Sequence, residues 1–222
     1  MSNVISEEQR RLNQALHEQN QDFGNRSDGA GVAGNLPNTV KRMHELGICE
    51  SILDYGTGKG KLVQRLKDEL PESISVTGYD PAMPKFCKKP KDKSDIVVCL
   101  DVLEHIEMQS IDAVLNDIKN LTGKFCYLVI DLQPAVKKLN DGRNAHILLA
   151  PADWWVNKLN QIFPCIASFP IYHNAGIPQK IVIACTSENK NLTYMYSFLI
   201  KLNIFNFAMK GGVLQGMIKD GQ

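Results

Sequence analysis

Apolar runs of strand type alternate with amphipathic segments of helical period through most of this 222-residue chain. The strand-like runs are residues 51–55, 73–80, 94–101 and 124–132, followed by the two closing runs "CIASFPIY" and "KIVIACT". The helical segments are residues 61–70, 110–121, which Ser110 is expected to cap, and 153–163. Strands that alternate with helices predict an α/β fold with a doubly wound, mostly parallel sheet. In such a sheet ligands bind beyond the carboxyl ends of the strands.

The composition suits one globular domain, because 44% of the residues are apolar and the chain is long enough to enclose a full core. The formal charge of +1 indicates no overall attraction to nucleic acid or to a membrane surface. The polar start "MSNVISEEQRRLNQ" is not a secretion signal, and we expect a cytoplasmic protein. The six cysteines form no C-x-x-C pair, which favours buried free thiols over a disulfide or a metal site.

Residues 1–50 precede the first strand and are predicted to form two short helices around a glycine-rich loop at 22–37. That loop could cover a cofactor, with its glycines permitting motion, or serve as an inert linker. The α/β core is expected at 51–187, and an apolar extension at 188–222.

The most apolar tract is residues 192–212, within the extension. Lys201, Asn203 and Asn206 interrupt this tract, so it contains no uninterrupted apolar segment of about 18 residues that could span a bilayer. It is expected to be a packed terminal element, with a helix that binds a partner or a membrane surface as the alternative. A homodimer interface is conceivable on the same tract.

The stretch "DYGTGKG" directly follows the first strand and places glycines at every second position after Asp54. No window of the chain supplies the G-x-x-x-x-G-K-[ST] loop of P-loop nucleotide-binding proteins. The dinucleotide pattern G-x-G-x-x-G fails because Lys61 stands where the third glycine belongs. A full G-x-G-x-x-G does begin at Gly29, but it follows no strand and is interpreted as a coincidence.

The aspartate indicates which ligand the glycine loop accepts. A carboxylate about 4 Å from a pyrophosphate would cost on the order of 1–4 kcal/mol in repulsion, whereas it attracts an ammonium or sulfonium group. The start of the next helix offers free N–H groups to a ligand carboxylate. Asp80 ends the second strand, where an acid can accept hydrogen bonds from the hydroxyls of a ribose. A nucleoside with an amino-acid tail, S-adenosylmethionine, satisfies both requirements.

The segments "ILDYGTGKG", "VTGYDPA" and "DIVVCLDVLEHI" resemble successive motifs of class I S-adenosylmethionine-dependent methyltransferases, in order and spacing, over residues 51–186. The resemblance implies a Rossmann-like sheet with an antiparallel last strand, and S-adenosylmethionine as cofactor. The residues that it implies for cofactor binding are Asp54, Tyr55, Gly56, Gly58, Gly60, Asp80, Pro81, Asp101 and Val102.

The chain departs from the family between the second and third strands. The family has a further helix and strand there, with an acid or amide that contacts the adenine, whereas only "PAMPKFCKKPKDKS" fills the gap here. We therefore expect a sheet that lacks one edge strand, and no residue is assigned to the adenine.

Methyl transfer to a hydroxyl or an amine requires an acceptor aligned with the methyl group and a base for the acceptor proton. His105 follows the third strand, and its imidazole is the best candidate for this base. The alternative is that His105 has no role in proton transfer and packs or forms a hydrogen bond beneath the cofactor. Glu104 beside it and Asp131 at the end of the fourth strand are candidate substrate residues. No metal site is predicted.

A second polar cluster, residues 141–155, follows the fourth strand. Arg143 could hold an anionic acceptor, Asn144 could contact the substrate, and His146 could be the base instead of His105. Trp154 could cover a substrate pocket or could pack on the surface. An ordinary connecting loop is the alternative for the whole cluster.

The sequence therefore predicts a methyltransferase that acts on an oxygen atom of a small molecule. "DVLEHI" is similar to the small-molecule branch of the family, and the chain lacks the N-P-P-Y-type motif of DNA amino-methyltransferases. The alternatives are a nucleic-acid methyltransferase, a non-catalytic subunit that binds the cofactor, and a nicotinamide-dependent dehydrogenase.

Overall fold

The computed structural model describes residues 4–23, 35–174 and 177–204. The helices are α1 (Glu7–Gln19), α2 (Leu36–Glu45), α3 (Lys61–Glu69), α4 (Ile111–Leu121), α5 (Ala152–Asn160) and α6 (Leu192–Leu202). The strands are β1 (Ser51–Tyr55), β2 (Ser75–Tyr79), β3 (Ser94–Leu100), β4 (Thr122–Asp131), β5 (Cys165–Asn174) and β6 (Ile177–Thr186). The six strands form one sheet in the order β2-β1-β3-β4-β6-β5.

The sheet confirms the predicted fold class. β1 pairs in parallel with both β2 and β3, and β3 pairs in parallel with β4. β6 lies antiparallel between β4 and β5, so the last strand alone runs against the others. The parallel strands therefore all end at one edge of the sheet, where the chain passes from strand to helix.

The sheet ends at β2, as predicted from the short connection that follows it. Residues 80–93 contain turns but no helix or strand. Phe86 from this connection packs against the glycine loop, because a Cβ placed on Gly60 would lie 2.2 Å from its ring. The backbone N–H of Asp80 donates to the carbonyl of Phe86 at 3.0 Å, which closes the turn. A compact turn thus takes the place of the missing helix and strand.

Two apolar layers enclose the sheet, and β4 shows how the sequence builds them. Phe125, Tyr127 and Val129 point into one layer, together with residues of α2, α3 and α6. Cys126, Leu128 and their alternating neighbours point into the other layer, together with residues of α4 and α5. A strand buried on both faces needs a continuous apolar run, which is the pattern that predicted β4.

The C-terminal apolar tract is a packed element over the part that the structure describes. In α6, Phe198 is fully buried, and its ring lies 5.1 Å from that of Phe125 and 5.4 Å from that of Tyr127. Ile200, on the opposite face of α6, is 65% exposed. The rest of the tract, residues 205–212, and the remainder of the extension lie outside the described residues. None of the described helices is both long and apolar enough to cross a membrane.

The two predicted N-terminal helices are α1 and α2, whereas residues 24–34 of the loop between them lie outside the described residues. The role of that loop as a cover therefore stays a prediction. All six cysteines are free thiols, as predicted, and Cys49, Cys99, Cys126 and Cys185 are buried. The prediction of burial is wrong for Cys87, which is exposed, and for Cys165, which is partly exposed at the start of the outer strand β5. Ser110 stands at the start of α4, but its hydroxyl donates to Glu107 at 3.2 Å instead of capping the helix.

Replacing Phe198 with alanine should lower the free energy of unfolding by about 3–5 kcal/mol, because a fully buried aromatic side chain is lost and a cavity remains. Urea denaturation followed by circular dichroism measures the change. Ile200→Ala on the exposed face of the same helix is the control and should cost less than about 1 kcal/mol. Equal losses for the two variants would show that α6 does not belong to the core.

Candidate active site

A cavity of about 310 Å³ opens at the carboxyl ends of β1 to β4, and its volume is in the range of small-molecule sites. Residues directly after these strands form its floor, and the N-terminal segment forms a wall. The floor residues are Tyr55, Gly56, Asp80, Pro81, Asp101, Val102 and Asp131. The wall includes Val4, Ile5, Asn13, His17 and Phe23.

The glycine loop after β1 has the backbone that its sequence demands. Gly56, Gly58 and Gly60 have φ values of 78°, 55° and 75°, in the left-handed region that favours glycine. A Cβ on Gly56 would also lie 2.4 Å from a side-chain carbon of Val102, so the loop and the end of β3 are in close contact. Of the three glycines, Gly56 lines the cavity.

Asp80 joins this loop to the end of β2. Its two carboxylate oxygens accept hydrogen bonds from the backbone N–H groups of Gly58 and Ala82, both at 2.9 Å. Burial raises the pKa of Asp80, although nearby His17 and the two N–H groups oppose the increase. An ionised carboxylate has about four lone-pair positions, so two partners leave capacity for ligand hydroxyls.

Asp54 lies beneath the glycine loop. It is 4% exposed, and its carboxylate accepts a hydrogen bond from the Thr57 hydroxyl at 2.6 Å. Gly58 and Gly60 are, like Asp54, not among the residues that line the cavity. The assignment of these three residues to the methionine part of the cofactor therefore stays a prediction, and Asp54 contributes to the shape of the loop.

Lys180 joins the ends of β3 and β4. Its ammonium group lies 2.6 Å from a carboxylate oxygen of Asp101 and 3.2 Å from one of Asp131. Burial lowers the pKa of Lys180, but the charges of Asp101, Asp131 and Glu104 outweigh burial and leave the pKa raised. Asp101 also has a left-handed φ of 48°, which is rare for a residue other than glycine. Sequence reasoning missed Lys180, because its pairing with Asp131 depends on the register of β4 and β6.

Glu104 and His105 lie in a single turn of 3₁₀ helix directly after β3. The Glu104 side chain is fully buried, and one of its oxygens accepts a hydrogen bond from the backbone N–H of Asp131 at 3.1 Å. His105 lines the cavity, and its Nδ1 donates to the carbonyl of Ala145 at 2.7 Å. A carbonyl can only accept a hydrogen bond, so Nδ1 carries the proton in the neutral ring and Nε2 carries the lone pair.

His146 repeats this arrangement from the loop after β4. Its Nδ1 lies 2.5 Å from the carbonyl of Gln133, and its ring meets that of His105 at 77° with 4.8 Å between centroids. It also lines the cavity. One potential ligand atom from each of Glu104, His105 and His146 lies within 4.8 Å of the other two. The structure therefore brings both candidate bases together beside a buried acid, in a group that could accept a proton or hold a metal ion.

The other predicted substrate residues do not line the cavity. Arg143 is exposed and pairs with Asp141, whose carboxylate lies 2.6 Å from its guanidinium group. The side chain of Asn144 bonds the N–H and the carbonyl of Ala135 and accepts the N–H of His146, so it holds the loop that carries His146. Trp154 packs against Trp155. Their assignment to substrate stays a prediction.

The N-terminal wall is attached to the site by polar contacts. The Ser6 hydroxyl donates to Glu107 at 2.5 Å, and the Gln9 amide donates to the carbonyl of His105 at 3.3 Å. From the glycine loop, Lys59 donates to the carbonyls of residues 20 and 21. Sequence reasoning missed His17, because no pattern in a polar helix shows that its partner is a distant cavity. Phe23 belongs to the loop at 22–37, for which a cofactor cover was one of the two predictions.

Replacing Lys180 with methionine should lower the free energy of unfolding at pH 7 by about 1–3 kcal/mol, because Asp101 and Asp131 would lose their shared counter-charge. The loss is smaller than for a fully buried pair, because the three side chains keep 18–27% exposure. Urea denaturation checks the value. Lys190→Met, which breaks an exposed pair with Glu188, is the control and should cost less than about 0.5 kcal/mol.

The difference in unfolding free energy between wild type and Lys180→Met should decrease at alkaline pH. Because the folded pKa of Lys180 is raised above 10.5, the ion pair contributes fully at neutral pH and is lost only as the pH rises through the folded pKa. A difference between wild type and Lys180→Met that disappears near pH 7 would contradict the assigned contacts.

The chain is similar to known proteins both in sequence and in fold. A sequence model of a family described as "Methyltransferase domain" matches residues 6–163. A search of curated protein sequences gave no significant match. Among solved structures, the N-methyltransferase NodS from Bradyrhizobium japonicum WM9, in complex with S-adenosyl-L-homocysteine, has a TM-score of 0.52 and 13% identity, with 80% of this chain and 97% of NodS covered.

Two further solved structures show the same kind of likeness. The DhpI–SAM–HEP complex has a TM-score of 0.50 and 14% identity, with 84% of this chain and 99% of DhpI covered. The small RNA methyltransferase HEN1 has a TM-score of 0.49 and 14% identity, with 73% of this chain and 26% of HEN1 covered. At these identities the likeness to NodS and DhpI shows a shared fold and says nothing about the acceptor. The family match spans most of the chain, including the glycine loop, Asp80 and the Glu104–His105 turn, and the chain belongs to the methyltransferase domain family.

Proposed function

We propose that this protein transfers a methyl group from S-adenosylmethionine to an oxygen atom of a small molecule. The observation that carries the proposal is one cavity, in a methyltransferase domain, that is lined by Gly56 and Asp80 and also by His105 and His146. The first two residues suit a nucleoside with an amino-acid tail, and the two histidines suit a hydroxyl that must lose a proton.

The residues around the cavity fit the proposed cofactor. Asp80 is held by two backbone N–H groups and lines the cavity, as an acceptor for ribose hydroxyls must. Gly56 lets the loop backbone approach a ligand closely, and Val102 offers an apolar contact beside it. When bound, S-adenosylmethionine supplies a methyl group on a positively charged sulfur, which the carboxylates at this edge of the sheet favour. DhpI and NodS, which share the fold, were crystallised with S-adenosylmethionine and S-adenosyl-L-homocysteine respectively.

The histidines provide the acceptor side of the reaction. An acceptor hydroxyl that binds beside the two rings can give its proton to Nε2 of His105 or His146, because Nδ1 of each ring is committed to a backbone carbonyl. The acceptor oxygen then forms a bond to the methyl carbon, and the carbon–sulfur bond breaks with its electron pair remaining on sulfur. The backbone carbonyls fix the orientation of both rings and so align the acceptor.

Three carboxylates at the cavity favour a small acceptor over a nucleic acid. Asp80, Asp101 and Asp131 all line it, and Lys180 pairs with the last two. A polyanionic backbone would be repelled by this floor, and the formal charge of +1 supplies no basic surface to compensate. A nucleic-acid methyltransferase and a non-catalytic subunit that binds the cofactor are the rivals that the following tests address.

Replacing Asp80 with asparagine should weaken binding of S-adenosylmethionine by about 1–3 kcal/mol, because a charged acceptor of ligand hydrogen bonds is lost. Isothermal titration calorimetry with the full chain measures the affinity, and circular dichroism checks the fold. Asp92→Asn, an exposed position on the same connection, is the control and should bind like wild type. Wild-type affinity in Asp80→Asn would show that the ribose lies elsewhere.

Replacing His105 with alanine should lower the rate of methyl transfer at least tenfold while cofactor binding is kept, because an aligned proton acceptor is lost. Transfer of a labelled methyl group to a mixture of metabolites, compared with transfer to RNA or DNA, measures activity and acceptor class together. Labelling of RNA or DNA alone would establish the first rival. Tight cofactor binding without transfer to any acceptor would establish the second.

A further inference from the structure

We propose that Glu104, His105 and His146 form a binding site for a first-row divalent transition metal ion, such as Mn²⁺, Fe²⁺, Co²⁺ or Zn²⁺. A single general base would need only one of these side chains, whereas the structure brings together two imidazoles and a buried carboxylate from two separate segments. Binding of the ion does not depend on the proposed function. The role of the ion in activating an acceptor rests on the proposed function.

The hydrogen bonds of the two histidines match those of metal ligands. A histidine that binds a metal through one nitrogen commonly donates its other N–H to a backbone carbonyl or a carboxylate, which fixes the tautomer and the direction of the ring. His105 does so to Ala145 at 2.7 Å, and His146 does so to Gln133 at 2.5 Å. Both rings are therefore held with Nε2 as the lone-pair nitrogen before any ion arrives.

The distances allow one ion to reach all three side chains after a small adjustment. The potential ligand atoms lie within 4.8 Å of one another. Two ligand atoms of one ion lie roughly 3–3.5 Å apart when each is about 2.0–2.2 Å from the metal. Rotations that move the side chains by about 1 Å would bring them to these distances. The backbone positions of the 3₁₀ turn and of the loop that Asn144 holds can remain as they are.

The charge around the cluster favours a divalent cation. Glu104, Asp101 and Asp131 all act on the ammonium group of Lys180, so one positive charge faces three carboxylates. Neutral imidazoles add no charge, and the backbone N–H of Asp131 directs one oxygen of Glu104. An excess of negative charge at the end of a sheet attracts a cation strongly when one of the carboxylates, here Glu104, is fully buried.

The ligand types indicate which ions fit. Two imidazoles and one carboxylate suit Mn²⁺, Fe²⁺, Co²⁺ and Zn²⁺, whereas Mg²⁺ and Ca²⁺ prefer sites made of oxygen alone. Three protein ligands also leave coordination positions open. Because His105 and His146 line the cavity, an acceptor oxygen could occupy one of them. With the ion bound, the Nε2 atoms are its ligands and no longer accept the acceptor proton. The ion would instead lower the pKa of that hydroxyl, and its proton would pass to water before the oxygen forms its bond to the methyl carbon.

The test uses the full chain after treatment with EDTA and dialysis, titrated with Co²⁺ and separately with Mg²⁺. We expect one Co²⁺ per chain by calorimetry, with a visible absorption band that reports nitrogen ligation, and binding of Mg²⁺ at least tenfold weaker. His105→Ala, His146→Ala and Glu104→Gln should each weaken binding of Co²⁺ at least tenfold. Glu104→Gln keeps an acceptor for the N–H of Asp131, so its fold should be retained.

His44→Ala is the matched control, because Nδ1 of His44 also bonds a backbone carbonyl, that of Cys49 at 2.7 Å, but its Nε2 meets the Ser73 hydroxyl instead of a carboxylate. This variant should bind Co²⁺ like wild type. The proposal would be overturned if the folded wild-type chain did not bind Co²⁺ at 1 mM, which is about the dissociation constant of the weakest specific sites for a divalent cation. Equal losses of Co²⁺ affinity in His44→Ala and His105→Ala would also overturn it.

The same titrations separate this proposal from the proposed function. Binding of S-adenosylmethionine without binding of Co²⁺ would leave the methyltransferase in place and remove the metal site. Binding of Co²⁺ by the three side chains in a protein that does not bind S-adenosylmethionine would keep the metal site and remove the proposed function.

Discussion

The groups that enter the cavity from the ends of β1, β2 and β3 depend on β1 lying between two parallel neighbours. β1 pairs with β2 from Ser51 to Tyr55 and with β3 from Ile52 to Asp54. Because the three strands run in the same direction, the glycine loop, Asp80 and Asp101 all emerge at one edge. The hydrogen bond from Gly58 to Asp80 then ties the first two of these exits together. The left-handed glycines are the local condition that lets the loop turn back onto the sheet.

The strands, the helices and the glycine loop could be predicted from the sequence, because each depends on residues that are neighbours along the chain. β1 begins and ends where its apolar run predicted, and the helices differ from prediction by a few residues at their ends. Lys180 could not be found in this way. Its contact with Asp131 exists only because β6 returns antiparallel to β4 in one particular register, and no local pattern specifies that register.

The polar segment around residue 144 shows the limit of reading function from a dense cluster of functional groups. Asn144 uses both ends of its amide to hold the loop, and Arg143 pairs with its neighbour Asp141. His146 from the same segment reaches the cavity. Sequence alone could not separate the residue that faces a ligand from the residues that hold the loop, because the same chemical groups serve both purposes.

The attachments of the N-terminal wall carry a consequence for biosynthesis. Its first residues are made before any other part of the site, yet Ser6 bonds Glu107, Gln9 bonds the carbonyl of His105, and Asp22 bonds Lys137. On a ribosome these partners follow 96 to 115 residues later, so α1 must wait beside an unfinished sheet. Among the elements of the site, the one translated first is therefore among those placed last, and the cavity is closed only when the centre of the protein has formed.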